Sequence, residues 1–113
     1  MHEMSLCEGV LQVMQEQAKA QGFSRVKTVW LEIGELAGVD TEAMRFGFDV
    51  VVKDSLADGA TLEIIHLPGR AWCLPCGNEV RVRQRFDACP TCGGYQLQVT
   101  GGDELRVKEL EVE

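Results

Sequence analysis

The chain has 113 residues, of which 45% are hydrophobic, and this combination predicts one main folded domain. Acidic residues outnumber basic residues by 18 to 11, so the formal charge is −7, and nucleic acid and anionic lipid would both repel such a chain. No apolar run approaches the roughly 20 residues that span a bilayer, and the first residues do not resemble a secretory signal. We therefore expect a cytoplasmic protein whose ligands are small ions and other proteins.

The N-terminal segment predicts an amphipathic helix from Ser5 to about Ala20. Apolar residues recur there mostly three or four positions apart, at Leu6, Val10, Val13, Met14 and Ala18. Ser5 and Glu8 have the spacing of a capping box, and Gly22 suits the left-handed position that follows a helix. On this prediction the first four residues project ahead of the helix.

The rest of the chain predicts three strands and one more helix. The stretch "KTVWLEIGEL" alternates with period two and places Val29, Leu31 and Ile33 on one face, as in a half-buried strand. A second helix, capped by Thr41, is expected to run to about Asp54, and "DGATLEIIHL" and "DELRVKELEVE" predict further strands. The fold class is therefore α+β, with residues 1–69 and 103–113 forming the main domain around an inserted module at 70–102.

The inserted module contains four paired cysteines in the string "CLPCGNEVRVRQRFDACPTCGG". The pattern is Cys-x2-Cys, twelve residues, then Cys-x2-Cys, and its members are Cys73, Cys76, Cys89 and Cys92. Two thiolates three positions apart can bind one ion from a single tight turn, and four sulfurs favour a tetrahedral ion such as zinc or iron. Because four cysteine ligands leave no open position for water or substrate, we expect a structural zinc ion rather than a catalytic one.

Two other functions for this module stay open at the level of sequence. The stretch "CPTCG" also resembles a rubredoxin turn, so an iron electron carrier is one alternative. The alternating Arg81, Arg83 and Arg85 would lie on one face of a strand and attract an acidic partner. Nucleic acid is a poor candidate for that partner, because no aromatic residues alternate with the arginines and the net charge is negative.

The first three residues form a possible second metal site. The terminal amine of Met1, the His2 amide nitrogen and the His2 imidazole can enter one plane by closing two small chelate rings, and Glu3 can supply a fourth donor. Nitrogen-rich planar sites suit Ni(II) or Cu(II). Since these ligands must lose protons, we expect metal uptake to weaken on acidification. A histidine at position two can equally be an accident of a terminus, because single short motifs match often by chance.

The combination of motifs resembles the HypA/HybF family, with the HybF branch the closer match. The resemblance rests on "MHEMSL", "VWLEIGEL", the four-cysteine block and "LRVKELEVE", in that order along the whole chain. It implies a nickel metallochaperone for [NiFe]-hydrogenase maturation that works with the GTPase HypB and serves the hydrogenase large-subunit precursor. It also implies two helices on a three-stranded sheet, and a monomer or homodimer.

Carried over residue by residue, the resemblance assigns nickel to Met1, His2 and Glu3. It assigns structural zinc to Cys73, Cys76, Cys89 and Cys92. The chain lacks a Ser/His/Asp set and a glycine-rich phosphate loop, so we expect no enzymatic activity. A zinc-ribbon adaptor that binds no nickel is the main competing hypothesis.

A structural role is the favoured interpretation for three further residues. Cys7 is expected to be a small buried hydrophobic residue in the first helix, although its closeness to His2 leaves a minor metal role open. His66 is expected to be a surface or hydrogen-bonded histidine near the end of a strand. Asp40 is expected to cap or turn the chain before the second helix, and a contribution near the nickel is the weaker alternative.

Overall fold

The computed structural model describes residues 2–113, and within them it contains two helices and six strands. The helices are α1 (His2–Gln21) and α2 (Thr41–Val51). The strands are β1 (Val26–Gly34), β2 (Thr61–Leu67), β3 (Arg70–Cys73), β4 (Asn78–Arg81), β5 (Leu97–Gly101) and β6 (Leu105–Val112). They form one three-stranded sheet in the order β2-β1-β6 and another in the order β4-β3-β5. The predicted α+β class, with two helices, a three-stranded sheet and an inserted module, is confirmed.

Residue contacts divide the chain into two units. The first unit contains the residues up to Leu31, together with Val39–Ile64 and Arg106–Glu113. The second unit contains Glu32–Gly38 and Ile65–Leu105, and it includes all four paired cysteines. The segment from Glu32 to Gly38 belongs to the second unit, although it lies far from the cysteines in sequence. None of the described helices is both long enough and apolar enough to cross a membrane.

Helix α1 begins at His2, so the predicted start at Ser5 is wrong. Ser5 lies inside the helix rather than at its N-cap, and Glu3 lies in the first turn, where a negative charge interacts favourably with the helix dipole. The first turn also packs against α2, because a Cβ built on Gly47 would lie 3.0 Å from the Met4 sulfur. This tertiary contact extends the helix beyond the local capping signal. Gly22 follows the helix with a φ of 78°, as predicted.

Helix α2 is capped by Asp40 rather than by Thr41. The Asp40 carboxylate accepts hydrogen bonds from the backbone N–H groups of Glu42 and Ala43, at 3.0 and 3.1 Å. An aspartate in this position satisfies two of the N–H groups that a helix start leaves without partners. The helical face predicted to be apolar is buried at Met44, Phe48 and Val52.

Strand β1 shows the alternation that the sequence predicts. Val29, Leu31 and Ile33 are at most 2% exposed, whereas the residues between them are only partly buried. Period-two burial of this kind is expected of a strand that presents one face to the core. The strand therefore places its apolar face in the interior along most of its length.

Three glycines allow the backbone segments of the second unit to approach each other closely. A Cβ built on Gly34 would lie 2.0 Å from the carbonyl oxygen of Gly102, and a Cβ on Gly102 would lie 2.4 Å from the Cα of Gly69. The Leu36 N–H donates to the Gly102 carbonyl at 2.6 Å, and the Gly34 N–H donates to Glu104 at 2.8 Å. No larger residue fits between backbones at these separations.

Candidate metal sites

The four paired cysteines meet in the second unit, from two separate turns. Cys73 ends β3, Cys76 lies in the turn before β4, and Cys89 and Cys92 lie in the segment before β5. Their four sulfur atoms all lie within 4.8 Å of one another. All four are free thiols. The structure thus brings together the four residues that the spacing predicts as ligands.

The sulfur separations fit one tetrahedral ion. Two of the sulfur pairs are Cys73 with Cys92, at 3.7 Å, and Cys76 with Cys89, at 3.9 Å. An ion bound at a metal–sulfur distance of about 2.3 Å in a regular tetrahedron separates its ligands by about 3.8 Å. A disulfide would require about 2.05 Å between sulfurs, so these pairs are arranged for an ion and not for covalent bonds.

The two cysteine turns share the same backbone geometry. In the first, the Gly77 N–H donates to the Cys73 carbonyl at 2.8 Å, and in the second, the Gly93 N–H donates to the Cys89 carbonyl at 2.8 Å. Both glycines have positive φ angles, 67° and 75°. Because glycine adopts this conformation without strain, each turn can close tightly enough to aim its two sulfurs at one point.

Hydrogen bonds from backbone N–H groups lower the pKa of one cysteine of the cluster. Hydrogen bonds from the N–H of Cys92, and then of Thr91, lower the pKa of the Cys89 thiol to about 6 against the opposing effect of burial. Hydrogen bonding with Cys73 and Cys92, together with burial, raises the pKa of Cys76 to about 12. The backbone hydrogen bonds thus favour the thiolate form at Cys89, and the thiols that are still protonated release their protons when an ion binds.

The cluster is embedded in the small core of the second unit. Cys73 and Cys89 are at most 1% exposed and pack with four apolar side chains, Leu36, Ala71, Val80 and Val82. Cys92 is exposed, so one edge of the cluster faces solvent. Four sulfur donors leave no ligand position open, which suits an ion that holds a fold.

The other predicted site lies at the start of α1, where Met1 falls outside the described residues. The His2 side chain is 64% exposed, and its Nδ1 lies 3.9 Å from a carboxylate oxygen of Glu3. That carboxylate also accepts a hydrogen bond from the Asp40 N–H at 3.3 Å. Binding of nickel by Met1, His2 and Glu3 stays a prediction. The contact joins residues far apart in sequence and brings the Asp40 backbone beside Glu3, while a contribution of Asp40 to nickel binding stays a prediction.

Cys7 is buried and His66 is exposed, as their predicted structural roles require. Cys7 is fully buried, and its thiol donates to the Met44 carbonyl at 3.4 Å. Burial raises the pKa of this thiol, which keeps it protonated and a poor metal ligand. His66 is exposed on β2.

The three alternating arginines do not share one strand face, so that prediction is wrong. Strand β4 ends at Arg81, and the chain turns before Arg83 and Arg85. Arg81 forms an ion pair with Glu35 at 3.0 Å, whereas Arg85 donates from Nε to the Leu36 carbonyl at 3.1 Å. Hydrogen bonds from Gly69 N–H and from Arg81 lower the pKa of Glu35.

Comparison with known proteins gives concordant matches over the whole chain. The family model described as hydrogenase/urease nickel incorporation, metallochaperone, hypA, matches residues 1–112. Hydrogenase maturation factor HypA of Alkalilimnicola ehrlichii is 69% identical, and that of Azotobacter chroococcum mcd 1 is 66% identical, each over 100% of both chains.

A solved structure supports the fold. The solution structure of the Ni metallochaperone HypA from Helicobacter pylori superimposes with a TM-score of 0.72 and 23% identity, covering 97% of this chain and 96% of that one. The order of motifs, the four-cysteine cluster and the full-length matches agree, and the chain belongs to the HypA family of nickel metallochaperones for hydrogenase maturation.

Proposed function

We propose that this chain is a non-enzymatic cytoplasmic carrier that binds Ni(II) through Met1, His2 and Glu3. It delivers the ion to the large-subunit precursor of [NiFe]-hydrogenase, in cooperation with the GTPase HypB. Cys73, Cys76, Cys89 and Cys92 hold a structural zinc ion. The observation that carries the proposal is the full-length family match, together with the exposed His2 beside Glu3 at the first turn of α1.

The position of His2 at the first residue of α1 supports a role as a nickel ligand. The first four N–H groups of a helix have no carbonyl partner within the helix, so a metal can replace the amide proton of His2 without breaking a helical hydrogen bond. The adjacent imidazole is exposed and free to rotate toward the ion. A planar set of nitrogens from this segment suits Ni(II).

The position of His2 at the start of α1 also supports release of the nickel ion. The partial positive charge at a helix start weakens cation binding, and the Glu3 carboxylate offsets part of that effect. A solvent-facing site can pass its ion to a recipient by exchanging one ligand at a time. Nickel uptake and release therefore require no unfolding of the core.

The cysteine cluster supports a structural role for zinc. The core cluster around the cysteines has six buried side chains, and two of these are cysteines of the metal cluster. Small modules with few apolar residues gain folding free energy from a bound ion. Zinc in this site stabilises the surfaces that partners contact, and it takes no part in nickel transfer.

The test is nickel binding by calorimetry on zinc-loaded protein whose N-terminus has been verified by mass spectrometry. The wild type is compared with His2→Ala and with His66→Ala, which changes the only other histidine in the chain. We expect one nickel ion per wild-type chain, loss of binding in His2→Ala, and unchanged binding in His66→Ala. All three proteins should keep one zinc ion.

Two outcomes would overturn the proposal. If His2→Ala binds nickel as tightly as the wild type, the N-terminal site is wrong. If no protein binds nickel, the zinc-ribbon adaptor replaces the carrier as the better account. Purified HypB and the large-subunit precursor, each added to the nickel-loaded chain, test the proposed partners separately, because transfer should require the recipient and should fail with His2→Ala.

A further inference from the structure

Strand β6 leaves one of its edges without a partner strand. In the order β2-β1-β6 it is the outer strand beside β1, and within residues 2–113 no strand pairs with its other edge. It is eight residues long, which exceeds the usual strand length of about 5–6 residues. A long open edge presents N–H and C=O groups to which another chain can bond. The edge is therefore a candidate interaction surface that neither metal site uses.

The charges of β6 are divided between its two halves. Arg106 and Lys108 are the charged residues of the first half, and Glu109 and Glu111 are those of the second half. All four side chains are exposed. Two antiparallel copies of the strand would place the basic half of each opposite the acidic half of the other. The strand is therefore complementary in charge to itself.

The apolar residues of β6 have the same symmetry. Val107 and Leu110 are partly buried, whereas Lys108 and Glu109 between them are both exposed. Because residues three apart on a regular strand face opposite sides, this burial shows that the alternation changes phase at Lys108 and Glu109. A bulge, in which two residues take the place of one, produces such a change. Val107 and Leu110 thus lie on one face, at equal distances from the centre of the strand.

We propose that β6 pairs with β6 of a second copy of this chain, in an antiparallel arrangement with a two-fold axis between Lys108 and Glu109. The register sets unlike charges opposite each other and apolar residues opposite each other, and its pairs are Lys108 with Glu109, Val107 with Leu110, and Arg106 with Glu111. The two-fold axis forms each pair twice. Pairs of both kinds stabilise antiparallel sheets.

Neighbouring registers lack this complementarity. A shift by one residue sets Lys108 opposite either Leu110 or Lys108 of the other copy, and both shifts place charged residues opposite apolar ones. Two acidic residues flank the paired segment, and each interacts within its own chain. Glu104 accepts a hydrogen bond from the Gly102 N–H at 2.8 Å, and the Glu113 carboxylate lies 3.9 Å from the Lys27 ammonium group. The sequence of β6 therefore specifies one register.

A groove between α1 and β6 gives the second copy an apolar surface to cover. Val13 of α1 borders it, together with Val107, Leu110 and Val112 of β6. Val13 and Val112 are each 39% exposed, so burial of these side chains would favour association. Val13 lies about 16 Å along α1 from His2, since a helix rises about 1.5 Å per residue. The pairing goes beyond the proposed nickel transfer, and either proposal can fail alone.

The test is sedimentation equilibrium of the full-length, zinc-loaded protein without nickel, up to 1 mM protein and in 150 mM salt. Two chains of charge −7 repel each other, and a Debye length of about 8 Å at this salt screens distant charges more than charges in contact across strands. We expect a reversible monomer–dimer equilibrium. In a mixture of 14N- and 15N-labelled chains, a carbodiimide should join Lys108 of one chain to Glu109 of the other, detected by mass spectrometry.

Charge reversal at the two-fold axis tests the register. Lys108→Glu and Glu109→Lys each set like charges opposite each other at two points, so each should weaken the dimer at least tenfold. The double variant with both changes restores unlike pairs and should dimerise within threefold of the wild type. Lys53→Glu and Glu63→Lys make the same changes in net charge at other exposed positions, and both should dimerise within twofold of the wild type.

Three observations would show that the pairing is wrong. The first is a wild-type protein that stays monomeric at 1 mM. The second is equal dimerisation of Lys108→Glu and the wild type, with zinc content and melting temperature preserved. The third is a double variant that dimerises no better than the weaker of the two single variants, because the two residues would then not face each other.

Discussion

Replacing Gly34 by alanine should destabilise the second unit severely, although the change adds only one methyl group. The added Cβ would lie 2.0 Å from the Gly102 carbonyl oxygen and 2.7 Å from the Asp103 nitrogen, and both of these are backbone atoms. Carbon and carbonyl oxygen normally approach to about 3.3–3.6 Å, so the two segments must separate by more than about 1 Å. The φ angle of Gly34 is not positive, and the effect is therefore steric alone.

The magnitude follows from the hydrogen bonds that this separation breaks. The Gly34 N–H donates to Glu104 at 2.8 Å, and the Leu36 N–H donates to Gly102 at 2.6 Å. Each bond contributes about 1 kcal/mol, and a buried group left without a partner costs about 1–3 kcal/mol. We expect Gly34→Ala to lose about 2–4 kcal/mol, a large part of the roughly 5–15 kcal/mol typical of a domain.

Gly9→Ala is the matched control for this prediction. Gly9 lies inside α1, and a Cβ built on it meets no atom within 4 Å. Alanine in a helix interior is favoured over glycine by about 0.5–1 kcal/mol, so this variant should be more stable than the wild type. The same substitution should therefore have opposite effects at the two positions.

Urea denaturation, followed by tryptophan fluorescence, measures both effects. Protein and zinc concentrations must be equal in all samples, because a bound ion shifts the apparent stability by mass action. A Gly34→Ala protein within about 0.5 kcal/mol of the wild type would refute the close approach of these backbones. So would a Gly9→Ala protein that is destabilised as much as Gly34→Ala.

Three further predictions concern the cluster, an ion pair and a helix cap. Cys92→Ser should retain almost no tightly bound metal after dialysis, measured by mass spectrometry, because a site with three thiolates holds zinc less firmly. The Gly69 N–H and the Arg81 side chain lower the pKa of Glu35 from its usual 4.5, so this carboxylate stabilises the fold above about pH 4.5 and loses that effect as the pH falls. The stability advantage of the wild type over Glu35→Gln should therefore shrink below pH 4.5 in urea denaturation. Asp40→Ala should cost about 1 kcal/mol and lower the melting temperature, whereas Asp40→Asn, which can still cap α2, should cost a few tenths.

The cysteine cluster could be predicted because each of its two turns is determined by residues that are close together in sequence. Each Cys-x2-Cys pair and its following glycine fix one turn without help from the rest of the chain, and the pairing of the turns follows from the need of one ion for four ligands. The buried face of β1 was predictable for a similar reason, since alternation along a strand is set by backbone geometry. The structure agrees with the sequence at Val29, Leu31 and Ile33.

The features that sequence missed depend on contacts between distant residues. Ser5 has the spacing of a helix cap, but packing of Met4 near Gly47 extends α1 to His2. The arginines alternate as in a strand, but Asp87 accepts hydrogen bonds from the N–H groups of Arg83 and Gln84 and turns the chain. The positive φ angle of Phe86 has no sequence signal, because the residue types that favour this conformation are glycine and asparagine.

The two candidate metal sites differ in whether loss of the bound ion would cost folding free energy, and this difference separates a structural ion from a cargo ion. In the cluster, two of the four sulfurs belong to the apolar core of the second unit, so loss of the ion exposes core residues and costs folding free energy. At the start of α1, the His2 side chain is 64% exposed and contributes nothing to a core. An ion bound there can leave without any change in packing. If nickel binds at His2 as proposed, its release is not coupled to unfolding, and a recipient that competes for metal should take the nickel and leave the ion of the cysteine cluster in place.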